Sequence, residues 1–122
     1  MVKKGFLVVS EDHGSNAYHK KILKERGYLA LWEDLDEAIK DPSRAGHYDL
    51  ALLFLPPPVG GAIQRVGGLV RALKDTNPEA PVWGVTGEAE WRANEDFERI
   101  ISSRGSRPYQ IAELIGERLK QN

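Results

Sequence analysis

The stretch Asp49-Leu50-Ala51-Leu52-Leu53-Phe54-Leu55 decides the fold. After one polar residue it is apolar without interruption, the mark of a central parallel strand covered on both faces rather than of a half-exposed one. Pro56-Pro57-Pro58 ends it sharply, and Gly60-Gly61 supply a flexible loop before Ile63, Val66, Leu69, Val70 and Leu73 recur at helical spacing up to Asn77-Pro78.

The same unit repeats on either side. Residues 5–9, Gly-Phe-Leu-Val-Val, form a short Val-rich strand bounded by Ser10-Glu11-Asp12. Ser15 or Asn16 caps the next helix, with Tyr18, Ile22 and Leu23 on one face, Lys20, Lys21, Lys24 and Glu25 on the other, and Gly27 as its stop. Residues 28–32 are a second strand. Asp34 then caps a short helix with Leu35, Ala38 and Ile39 inward, ended by Pro42.

Downstream, residues 81–86 are a fourth strand. A weaker helical pattern over 88–101 carries Trp91, Phe97, Ile100 and Ile101, and residues 101–106 hold the fifth strand. Pro108 starts the last helix, whose stripe is Ile111, Leu114, Ile115 and Leu119. Five strands alternating with five helices predict a single α/β domain over residues 1–122, an open parallel sheet with helices on both faces. Such sheets carry their sites at the carboxyl ends of the strands.

Composition narrows the function classes. The chain has 122 residues, 18 acidic against 17 basic, a formal net charge of -1, and no cysteine. Near-neutrality argues against proteins that bind nucleic acid or membranes through a chain-wide positive field. Lys3, Lys4, Lys20, Lys21 and Lys24 read as a solvated helix face, without aromatic interleaving or a recognition helix. The absence of cysteine excludes disulfides, thiolate catalysis and thiolate-bound metals. Four consecutive apolar residues near the amino terminus are too few for a secretory signal, and nothing approaches a membrane span, so a cytoplasmic location is expected. Met1 and the polar end Lys120-Gln121-Asn122 favour a stand-alone chain.

The residues following the strands converge on one rim: Glu11 and Asp12, Phe54, Thr86, and Arg107-Pro108. In this order and spacing the chain resembles the receiver domains of bacterial two-component response regulators over essentially its whole length. The resemblance implies a flavodoxin-like three-layer sandwich with strand order 2-1-3-4-5. It also implies a magnesium ion held by the acidic pair, a phosphoacceptor aspartate ending the third strand, a hydroxyl after the fourth, and a Lys-Pro pair after the fifth. Glu11-Asp12 match the acidic pair, Tyr48 to Leu53 the approach to the acceptor, Pro58 the proline beyond it, and Thr86 the hydroxyl. Arg107-Pro108-Tyr109 matches the Lys-Pro-aromatic ending with Arg for Lys, and Arg104 falls roughly where the family carries its switching aromatic.

Phe54 stands at the acceptor position. A phenyl ring forms no acyl phosphate and ligates no magnesium, so the nucleophile and one metal ligand are both lost. Asp49 is no substitute, lying about five residues, roughly 16 Å, from the carboxyl edge.

Several residues admit two readings. Glu11 and Asp12 are a weak cation site or a solvated acidic loop, the latter able to pair with Arg107; neighbouring His13 is a third ligand or a solvent-exposed side chain. Thr86 is a mobile hydroxyl or a β-branched strand residue; Trp91 and Tyr109 are partner-facing or core; the Pro- and Gly-rich 56–61 loop lacks the spacing and amide donors of a phosphate cradle.

The expected function is a non-enzymatic signalling module, a pseudo-receiver binding another protein through the fifth strand and the last two helices, including Trp91, Arg104 and Tyr109. It needs no cofactor beyond weak magnesium and is a monomer or weak homodimer. The alternative is a small-molecule binder of flavodoxin-like topology, nucleotide or cobalamin, although Glu11-Asp12-His13-Gly14 misses the Asp-x-His-x-x-Gly spacing. No nucleophile and base pair can be assigned among His13, His19 and His47 and their neighbours.

Overall fold

The computed structural model describes residues 5–11, 17–41, 47–93, 96–105 and 107–120. Its elements in chain order are β1 (Gly5–Ser10), α1 (Ala17–Glu25), β2 (Leu29–Asp34), α2 (Leu35–Lys40), β3 (Leu50–Phe54), α3 (Ala62–Thr76), β4 (Val82–Thr86), a 3₁₀ turn (Ala89–Ala93), β5 (Arg99–Ser102) and α4 (Pro108–Lys120). The five strands form one all-parallel sheet in the order β2-β1-β3-β4-β5.

Side-chain alternation divides the core in two. Leu7, Val9, Ala51 and Leu53 join Leu35, Ala38, Val66, Leu69, Val70 and Leu73 under α2 and α3. Phe6, Val8, Leu50 and Leu52 join Leu23, Ile111, Ile115 and Leu119 under α1 and α4. Because both faces of β1 and β3 are covered, neither strand alternates with polar residues. Asp49 lies at the amino edge, where its carboxylate accepts the Gly5 N–H at 2.8 Å and anchors the start of β1. Asp34 caps α2 through its carboxylate, which accepts the Asp36 N–H at 2.9 Å, whereas Ser15 and Asn16 lie outside the described residues.

Three expectations are corrected. The described residues contain four α-helices, not five: the segment after β4 makes one 3₁₀ turn where a helix over 88–101 is expected. The return path explains this. Going back from the carboxyl rim to the start of β5, about 16 Å, uses about eleven residues as helix at 1.5 Å per residue. Residues 87–98 would leave almost none for two connections.

The apolar residues of this segment pack directly on the sheet instead. Trp91 is fully buried, its indole N–H donating to the Pro56 carbonyl at 2.8 Å. The Phe97 ring and Leu55 lie so close over Gly84 that a Cβ there would stand 2.9 Å from Leu55 Cδ1 and 3.4 Å from the ring. Consequently β5 begins at Arg99 and ends at Ser102, earlier than the expected 101–106. Finally, Tyr18 is 57% exposed, and the inward position on α1 above Ile22 and Leu23 belongs to His19.

Among the described residues no helix is long and apolar enough to cross a membrane.

Candidate functional site at the carboxyl rim

Parallel β1, β3 and β4 end together, and their last residues enclose a shallow depression of about 310 Å³. Ser10 of β1 and Glu11 just beyond it line it, with Phe54 from β3, Thr86 of β4 and the following Gly87, and Ser103 from the turn after β5. Three residues singled out from the sequence, Glu11, Phe54 and Thr86, are therefore brought together. Asp12 and His13 lie outside the described residues.

Phe54 is half-buried on the α1 side, where its ring meets the His19 ring edge to face, 4.9 Å between centroids at 68°. The His19 Nδ1 is sealed from solvent and, among the described residues, has no hydrogen-bond partner. Burial pushes this imidazole below the ordinary histidine value, because desolvation disfavours the charged ring. His19 was legible as the residue three and four positions before Ile22 and Leu23, but its polarity hides it from an apolar pattern.

Thr86 is buried, and its hydroxyl oxygen accepts the Glu88 N–H at 3.0 Å, closing a local turn of the kind Ser and Thr make at strand ends. Its carbonyl accepts the Ser103 N–H at 3.0 Å, which sets Ser103 beside it on the rim.

Arg107 is not among the residues lining the depression. Residues 103–105 form a turn after β5, and Arg107 comes after it, exposed, at the start of α4. There its N–H donates to Gln110 Oε1 at 2.7 Å, and its carbonyl accepts from Gln110 and Ile111. Pro108 opens α4, where a missing N–H costs nothing.

Arg104, exposed, crosses Gly87 so closely that a Cβ on that glycine would lie 3.2 Å from the guanidinium Nε. Tyr109 is 44% exposed on the same flank. Trp91, expected as an alternative contact residue, is interior and leaves that surface.

A hard divalent ion takes six or more oxygens; among the described residues Glu11 is the one carboxylate that lines the depression, with carbon at Phe54 where a second would stand. Among the described residues no three His, Asp or Glu side chains gather around a common point.

The architecture is that of receiver (CheY-like) domains, a flavodoxin-like fold. No family model matches the chain, and no curated protein sequence matches it. Solved structures do. A receiver domain protein of Methanospirillum hungatei JF-1 superposes with a TM-score of 0.72 at 21% identity, covering 98% of this chain and 96% of that one. The response regulator TrrA of Thermotoga maritima, solved in complex with Mg(2+)-BeF, gives 0.69 at 20% identity with 97% of each chain covered. A putative pilus assembly protein, CpaE, of Burkholderia thailandensis E264 gives 0.70 at 11% identity, covering 93% and 96%. At these identities the likeness is one of fold.

Proposed function

We propose that this chain is a non-enzymatic signal-transduction module of receiver fold that acts by contacting another protein and is not switched by aspartyl phosphorylation. The observation that carries the reading is Phe54 on the rim depression, at the end of the central strand. Phosphoryl transfer to a receiver-type site needs a carboxylate nucleophile and a clustered divalent ion there. The ring supplies neither. Ser103 beside Thr86, in place of a cation, adds support, because no described basic side chain lines the depression to hold a phosphoryl oxygen.

Contact with a protein partner is assigned to the β5 and α4 flank, where Arg104, Arg107 and Tyr109 are exposed. An aromatic and two arginines on an accessible surface are residue types enriched at interfaces. A nucleotide or cobalamin-type ligand finds less support, since about 310 Å³ is at the small end of ligand cavities.

The test is NMR titration of the wild type and of Phe54→Asp with magnesium and beryllofluoride. The wild-type spectrum is expected to stay unchanged, with a response confined to Phe54→Asp. A wild-type response, or phosphate uptake from a small phosphodonor, overturns the reading.

A further inference from the structure

One polar ring faces inward from α1. His19 shares the inner face of that helix with Ile22 and Leu23 and lies against Phe54, its Nδ1 buried and, among the described residues, without a hydrogen-bond partner. A neutral imidazole with its proton on Nε2 tolerates this, leaving a bare lone pair at Nδ1. An imidazolium does not, because both ring nitrogens then carry protons that need acceptors.

Among the described residues no carboxylate is paired with it. From β3 comes the Phe54 ring, and from β1, by strand alternation, Ser10. From β2 come Trp32, over whose ring Lys20 Nζ lies at 5.8 Å, and Asp34, whose carboxylate is engaged in capping α2. On α4, Glu113 is paired with Arg26 beyond the opposite end of α1, at 3.8 Å. The helix itself carries Lys20, Lys21 and Lys24, which oppose a further positive charge. Glu11 is exposed beyond β1, and among the described residues His19 makes no ion pair.

We propose that His19 and Phe54 form a proton-operated latch on the carboxyl rim: the neutral imidazole seats the first turns of α1 on β3, and the imidazolium unseats them and uncovers Phe54. The downward displacement of the His19 titration by burial agrees with this. The latch stands on the contact itself, and only its use, control over what the rim meets, rests on the signalling reading above.

The experiment is an NMR titration of the full chain between about pH 8 and about pH 5, the range in which histidine changes charge. His19 is expected to titrate below the ordinary histidine midpoint, with the Phe54 ring resonances and the α1 amides moving at that same midpoint. In His19→Phe, which keeps an aromatic ring there but cannot be protonated, the Phe54 resonances are expected to lose their pH dependence. A His19 midpoint at or above the ordinary value overturns the latch, as do Phe54 resonances that ignore the titration or that still move in His19→Phe. The wild-type titration decides alone if the variant does not fold. None of these outcomes involves beryllofluoride, so the latch and the signalling reading fail separately.

Discussion

At the position where a carboxylate would make the rim reactive, Phe54 contributes packing: its edge-to-face contact with His19 is of a kind worth about 0.5–1.5 kcal/mol. Replacing it with Asp therefore lowers the thermal midpoint while it restores a carboxylate, and a melt measured beside the beryllofluoride titration separates the two effects. The sign for His19 follows from its depressed value. Its contribution to stability is complete above about pH 6.5, the unperturbed histidine value, and is lost as pH falls through the lower folded-state value.

Trp91 is a second residue whose role is fixed by one atom, since its indole N–H is the donor to the buried Pro56 carbonyl. Trp91→Phe keeps most of the ring volume and leaves that carbonyl without its donor. It is expected to cost about 1–3 kcal/mol in urea unfolding. An unchanged midpoint would mean that water replaces the indole.

Between elements, the start of β5 is fastened to its neighbours through one carboxylate. Glu98 accepts from Trp83 Nε1 of β4 at 2.7 Å and from Arg118 of α4 through both Nε and Nη2, while the Arg99 guanidinium lies 5.5 Å from the Trp83 ring centroid. The Arg118 hydrogen bonds, with smaller help from Trp83 and Arg99, hold the Glu98 carboxyl below the usual carboxylate range against the opposing effect of burial. A lowered carboxylate stabilises above its unfolded value and loses that contribution as pH falls through its folded one.

Because the pair is partly exposed and screened by solvent, Glu98→Gln is expected to cost at most about 1 kcal/mol at neutral pH. It is also expected to flatten the acid limb of stability against pH, measured by urea unfolding across that range. A steeper acid limb in the variant would count against the fastening. This clip also explains how a four-residue edge strand with one fully buried residue, Ile101, keeps its register on β4.

Across the whole molecule, β1, β3 and β4 are paired on both sides and buried on both faces, whereas β2 and β5 form the sheet edges. Amide exchange is expected to be slowest in the three inner strands and faster in the edge strands and the 3₁₀ turn. Equal protection in β5 and β3 would contradict that gradient. The elements legible in the sequence are those whose signal is local. The apolar runs in β1 and β3, the helical stripes of α3 and α4, the Asp34 cap and the presence of Phe54 at a strand end all follow from burial imposing its period on neighbouring residues.

Tertiary structure decided what depends on distance across the fold. The return path of residues 87–98 is too short for a helix, so Trp91 and Phe97 pack directly on the sheet and β5 starts early. The turn that follows places Ser103 on the rim and Arg107 at the head of α4. His19 of α1 meets Phe54 of β3, residues 35 positions apart, and no local period encodes that contact.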